Sequence, residues 1–308
     1  MPKGAESVLT TKASSRIKVY YEVTKPKIWY LLVFTAIGAA FTASNLYHIP
    51  LSPITWVLLV GSVITGSAAA NTLTNYNDRD IDAIMERTKE RPIPSRKIYP
   101  AEKALYFGLV LAAISLVSSF AINMWAGIFM VFGLVDNILV YSKLLKRRSR
   151  TNIILGGFSG GAPAMIGYVA VTTAGLWDLG LVMAGLVFVW IPMHIWSLTL
   201  HVKEDYIKVK VPMLTAVQSE KTSVRVIAGT TLMMVLFSVL PFFMTDSAGK
   251  HLFHEVYLYT AIVSGGIMIA LSLWLLVKPS ERASWTLFKF SSPYLAILFI
   301  ALMVDSAL

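Results

Sequence analysis

The sequence predicts an all-α integral membrane bundle of about nine transmembrane helices, and three observations carry that expectation. Of 308 residues, 56% are hydrophobic and only 14% charged, where a soluble domain is nearer a quarter charged. The apolar residues fall in runs of about 18–25, the length that crosses a bilayer as a helix. Lys and Arg crowd every second connection between those runs.

Taken in order, the runs lie near 27–45, 54–75, 104–122, 124–142, 153–173, 179–200, 226–245, 257–277 and 290–307. Residues 1–26 form a polar, basic lead, expected as a cytoplasmic tail, and 27–308 read as a single transmembrane domain. The lead has no apolar core, so no cleavable signal peptide is expected. Glu6 and Glu22 argue against a mitochondrial transit peptide. Basic residues fill the tail (Lys3 to Lys27) and the segments Arg79–Lys103, Lys143–Arg150 and Lys203–Arg225, then Lys278, Arg282 and Lys289. With nine spans all of these fall on one side, and the other side carries only Lys250. The asymmetry puts the N-terminus in the cytoplasm and the C-terminus outside. It also accounts for the net charge of +10 without nucleic acid. There is no Cys, which excludes disulfides, thiolate catalysis and Cys-ligated metal.

The connections after the second and sixth runs are the long ones, roughly 25 residues each, and loops of that length in a compact protein usually carry function. The first contains Asn75, Asp78 and Asp82, spaced i, i+3 and i+7. On a helix these share one face. Three oxygen-bearing side chains at a membrane surface suit Mg²⁺, which takes a few carboxylates and completes its shell with water and phosphate. Arg87, Lys89, Arg91 and Arg96 follow. Acids beside bases are what a metal-bridged diphosphate needs. The alternative is a solvated, salt-bridged helix end. Asp80 and Glu86 lie off the column and are expected to pair with Arg79, Arg87 or Lys89.

The string TNYNDRDID followed by MERTKERPIPS resembles the first aspartate-rich motif of the UbiA superfamily of intramembrane prenyltransferases. Asn75, Asp78, Asp82, Arg87, Thr88, Arg91 and Pro92 carry the match, and Thr74 departs from it. Thr24-Lys25-Pro26-Lys27 ahead of the first run also fits, with Lys25 a candidate diphosphate contact.

From the end of the sixth run into the second long connection, His194, His201 and Asp205 stand at i, i+7 and i+11, a helical stripe. A lone membrane histidine commonly serves packing and hydrogen bonding. Most superfamily members resemble one another here in a second all-Asp motif, and histidines stand in place of Asp in this chain. Pro192, His194, Trp196, Leu198, Lys203, Asp205, Tyr206, Pro212, Met213 and Leu214 resemble the haem O synthase branch. The resemblance leaves His194 three roles: touching the porphyrin, approaching its iron, or moving a proton.

The cations Lys143, Lys146, Arg147, Arg148 and Arg150 read first as a positive-inside anchor. With Tyr141, Leu145, Asn152, Gly156, Gly157, Gly160, Pro163 and Gly167 they again resemble the haem O synthase branch. Lys146 and Arg147 are candidates to hold a diphosphate or a haem propionate, and the glycines are expected to let helices approach closely. Asp136 and Asn137 fall inside the fourth run. A buried acid there is expected to make an interhelical hydrogen bond.

The resemblance implies helices around a central cavity capped by cytoplasmic loops, in a prokaryotic plasma membrane. It implies farnesyl transfer from farnesyl diphosphate to a vinyl group of protoheme IX, with Mg²⁺ held by Asn75, Asp78 and Asp82. The diphosphate and acceptor contacts it implies are Lys25, Arg87, Arg91, Tyr141, Lys146, Arg147, Trp196, Lys203 and Tyr206, with His194 and Asp205 beside the reacting groups. A downstream haem A synthase or oxidase assembly proteins are implied partners. Two alternatives stand beside this reading. One is transfer to an aromatic quinone precursor or an archaeal lipid within the same superfamily. The other is a cation-coupled transporter, whose acids belong at the bilayer midplane on broken helices rather than at span ends beside basic loops.

Overall fold

The computed structural model describes residues 16–308. Its helices are α1 (Pro26–Tyr47), α2 (Pro53–Asn77), the single-turn α3 (Arg79–Asp82), α4 (Glu102–Ile122), α5 (Met124–Val135), α6 (Asn152–Leu155), α7 (Phe158–Val169), α8 (Leu181–His201), α9 (Lys203–Lys208), α10 (Leu214–Val217), α11 (Glu220–Phe237), α12 (Glu255–Val277) and α13 (Glu281–Asp305). A π-helical segment, Asp136–Leu145, prolongs α5, and a second, Leu176–Gly180, leads into α8. Local chemistry sets the starts. Ser52, Asn123, Ser219 and Ser280 each accept the backbone N–H three residues on, capping α2, α5, α11 and α13.

Among the described residues, eight helical segments are long and apolar enough to cross a membrane. The ninth expected span, 153–173, is helical but interrupted: it breaks at Gly156–Gly157 into α6 and the 12-residue α7. Asp136 explains where α7 begins. Its Oδ2 accepts the Ser159 N–H at 2.8 Å, supplying a partner to one of the N–H groups that a helix start leaves bare. The buried acid of the fourth span therefore makes an interhelical hydrogen bond.

Helices α1, α7, α8 and α13 pack in a closed cycle, with α2, α4 and α5 wrapped on the α1–α7 side and α11 and α12 on the α8–α13 side. Glycines permit the closest approaches. A Cβ on Gly167 would lie 2.0 Å from the Ala36 carbonyl oxygen, and one on Gly161 would lie 2.9 Å from that of Ala184. The core runs from Val33 on α1 to Leu302 on α13 without a break. Large apolar side chains such as Val57, Tyr106, Val117, Leu236 and Val263 stay exposed on the outside, as a lipid-facing surface requires.

The tail is partly a structural element. Residues 1–15 lie outside the described residues, but 16–23 are helical and Val23 is fully buried with Ile93, Ile98 and Ala104. The chain is thus anchored to the loop after α2 before the first span begins.

Candidate active site

Four connections meet at one end of the bundle: the lead into α1, the α2–α4 loop, the segment after α5 and the loop after α8. Asn75 ties the first two, its Nδ2 donating to the Val23 carbonyl oxygen at 2.8 Å. Lys146 crosses from the third to pair with Asp78. Asp205 reaches from the fourth, its carboxylate accepting the Glu86 N–H at 3.2 Å and the Arg87 N–H at 3.3 Å.

The column of three is present but not straight. Asn75 lies on α2, Asp78 caps its end with φ −94° and ψ 4°, and Asp82 closes α3. The bond from Asp82 N to Asp78 O, 2.8 Å, keeps the helical spacing across the break. All three side chains are buried, Asp78 at 4% and Asp82 at 2% exposure. Buried carboxylates need partners, and each has a cation. Asp78 pairs with Lys146, with Arg147 3.9 Å away on its other oxygen. Asp82 receives Arg91 at 2.7 Å, and that guanidinium also reaches Asn75 Oδ1 at 3.5 Å. Thr88 donates to the Asp82 carbonyl at 2.9 Å and fixes the turn between acid and base.

Lys25 caps α1 in the left-handed region, φ 52°, a conformation that costs a non-glycine residue about 1 kcal/mol or more. Burial, reinforced by the Arg91 charge, pushes its pKa down to about 7, against the attraction of Asp82 and Asp78. Arg147 spends most of its fork on Asp80, at 2.6 and 2.7 Å. That bond holds the Asp80 carboxyl down to about 2. Asp80 thus pairs with Arg147, not with Arg79, which lies over the Tyr76 ring, whereas Glu86 takes Lys89 as expected.

The remaining expected contacts divide. Tyr141 has the Lys146 ammonium 5.9 Å from its ring centre, and Tyr206 is buried. Arg87 is exposed and has no ion-pair partner among the described residues. Lys203 opens α9, with no side-chain hydrogen bond among the described residues. Trp196 is 2% exposed and packs in the core, with its indole N–H unpaired. The expected stripe from His194 to Asp205 is corrected, because α8 ends at Val202 and Asp205 belongs to α9. His194 stays inside the bundle while Asp205 holds the α2–α4 loop. Sequence reasoning missed the Val23 carbonyl, which no side-chain motif signals, and Ser291, whose bond to His194 comes from the last span.

The site thus joins two buried carboxylates, each with its own cation, to a lysine whose charge is loosely held, at the mouth of an apolar bundle. Residues 31–301 match the UbiA prenyltransferase family. The chain belongs to that family. It is therefore a prenyltransferase enzyme, built on a multi-pass helical bundle. A chain from Cenarchaeum symbiosum (strain A), named protoheme IX farnesyltransferase 2, is 60% identical over 305 residues, covering 96% of this chain and 98% of its own. The fold is shared with a solved structure described as digeranylgeranylglyceryl phosphate synthase, with TM-score 0.75 and 22% identity over 95% of this chain and 99% of that one. It is shared as well with a UbiA homologue from Archaeoglobus fulgidus bound to GPP and Mg²⁺, with TM-score 0.58 and 14% identity over 92% and 99%.

Proposed function

We propose that this enzyme transfers the farnesyl group of farnesyl diphosphate to a vinyl group of protoheme IX and releases diphosphate. Water adds to the vinyl-derived cation and loses a proton, giving haem O, the precursor of haem A for terminal oxidases. The carrying observation is the double acid–base pairing, Asp78–Lys146 and Asp82–Arg91, at the mouth of a bundle whose interior is apolar. The 60% identity, over 96% of this chain, to a chain named protoheme IX farnesyltransferase 2 supports haem as the acceptor.

The residues fit a divalent metal that arrives with diphosphate. Asp78 Oδ1 is buried with no hydrogen-bond donor, and Asp82 engages Arg91 through one oxygen. Among the described residues, no three His, Asp or Glu side chains converge as a closed cage. Mg²⁺ does not require one, because it keeps water and phosphate in its shell. Asn75, Asp78 and Asp82 would hold it, and when bound it would neutralise the charge on the leaving diphosphate.

This chain's own cations share that task. Lys146, Arg91 and Lys25 already face the carboxylates that the metal would take, and each would turn to a phosphate oxygen. As the C1–O bond breaks, negative charge grows on the diphosphate, and prepositioned cations stabilise it most at that moment. The buried apolar faces of α1, α7, α8 and α13 keep water from the allylic cation until the vinyl carbon attacks. A bundle open to a plasma membrane receives both lipid-soluble substrates. The implied partners are those that consume haem O.

The purified protein incubated with labelled farnesyl diphosphate and either haem or 4-hydroxybenzoate tests the acceptor. Label should enter haem, and label entering only the benzoate overturns the proposal. Asp78→Ala and Asp82→Ala should each lose turnover by a hundredfold or more while retaining the folded elution profile. Full activity in both would remove the carboxylate site.

A further inference from the structure

His194 is held more tightly than packing requires. Its ring lies between Trp190, with centroids 4.0 Å apart and planes at 22°, and Phe288, at 4.5 Å and 31°. Both faces are covered, so only the edges of the ring can act. At one edge Nδ1 lies 2.6 Å from Ser291 Oγ. The same hydroxyl lies 2.6 Å from the Phe288 carbonyl oxygen, one turn back on α13.

A serine hydroxyl has one proton to give, and a carbonyl oxygen can only accept. If Ser291 gave its proton to Nδ1, its lone pairs would face the Phe288 oxygen at 2.6 Å in a low-dielectric interior, where such repulsion is strong. The arrangement that satisfies every atom is a relay. Nδ1–H donates to Ser291 Oγ, and that hydroxyl donates to the Phe288 carbonyl. The proton of the neutral ring therefore sits on Nδ1, and Nε2 carries the free lone pair. Nε2 has no hydrogen bond among the described residues, yet it is not among the sealed, unpartnered atoms. Ser291 is itself fully buried, and its carbonyl accepts the Trp190 indole N–H at 2.7 Å. One residue of α13 thus fixes both stacked rings of α8.

A neutral imidazole whose Nδ1–H is bonded to a fixed acceptor and whose Nε2 is bare is oriented as a metal ligand. His194 lies seven residues before the end of α8, about 10 Å along the helix, and so away from the acid–base cluster. We propose that His194 Nε2 ligates the iron of the acceptor porphyrin, and that Ser291 is the positioning residue that fixes its tautomer. The inference rests on the haem reading. Ligation would hold the iron at one depth in the bundle.

The test compares porphyrins with and without iron on the detergent-solubilised full chain. Haem should bind at least tenfold more tightly than metal-free protoporphyrin and show the visible and paramagnetic-resonance spectra of imidazole-ligated iron. His194→Ala should lose that spectrum and recover it with added imidazole. Ser291→Ala should weaken haem binding by about tenfold or more with metal-free protoporphyrin unaffected, and Ser291→Thr should restore it. Equal binding of the two porphyrins, with no imidazole signature in the wild-type protein, overturns the inference while farnesyl transfer to haem leaves the haem reading intact. No saturable binding of either porphyrin, with no transfer to haem, overturns both.

Discussion

Lys25 gives the most quantitative handle on the site. Burial and Arg91 hold its pKa at about 7 before substrate arrives. A diphosphate beside it favours the charged form, so binding should draw a proton from solution. At pH 8 roughly one Lys25 in eleven is charged in the free enzyme, and charging it costs about 1.4 kcal/mol, one pKa unit of free energy. Affinity should therefore be full below pH 7 and fall about tenfold per pH unit above it, until the raised pKa of the complex is reached. Calorimetric titration at pH 8 with a non-reacting thiolo analogue of farnesyl diphosphate, in two buffers of different ionisation heat, reads the proton directly. Uptake should approach about 0.9 protons per analogue bound. Lys25→Arg keeps its charge throughout and should lose both the uptake and the pH dependence, which also subtracts any proton taken by the analogue. Equal uptake in the wild-type and Lys25→Arg proteins refutes the reasoning.

Three further substitutions separate structural from chemical roles. Gly167→Ala places a methyl group against the Ala36 backbone oxygen, which cannot swing aside, and should lower stability in detergent by about 3 kcal/mol, read as the shift of a thermal unfolding curve. Asp136→Ala should cost about 1 kcal/mol by uncapping α7, while Asp136→Asn, which still accepts from Ser159, should keep both stability and turnover; turnover lost in the Asn variant would show chemistry at that carboxylate. Asp205→Ala should raise the KM for farnesyl diphosphate by freeing the Glu86–Arg87 backbone, whereas Asp205→Asn should lose less, because its amide oxygen still accepts one of the two N–H groups. Equal loss in the two would mark Asp205 as a metal ligand instead of a loop anchor.

How far the sequence could be read depended on the range of the interaction. Apolar runs and caps are local, so eight of the nine spans were legible, within a few residues at most ends. The interruption of the ninth at Gly156–Gly157 was not, because the start of its longer half is met by an acid on another helix. The i, i+3, i+7 spacing of Asn75, Asp78 and Asp82 exposed the carboxylates. It could not show that Lys146 and Arg91 hold them, since those partners come from 68 and nine residues away. His194 and Asp205 looked like one stripe because periodicity does not report a helix end at Val202. Ser291 lay among ordinary serines of an apolar run and acquired meaning only through its distance to a ring on α8.

The resting pairs Asp78–Lys146 and Asp82–Arg91 also constrain the order of events. A bare metal ion would have to pull each carboxylate from its cation and leave that cation stranded. A bare diphosphate would recruit the cations and strand the carboxylates. Only the two together would complete a double exchange of partners, in which each acid would pass to the metal and each base to phosphate with no charge left over. Metal and prenyl diphosphate should therefore bind with positive coupling, each raising the apparent affinity for the other by the same factor, and either alone should occupy the site poorly. At the mouth of a membrane bundle, such reciprocity would make the enzyme deaf to free phosphates and free metal, and responsive to the metal–diphosphate complex alone.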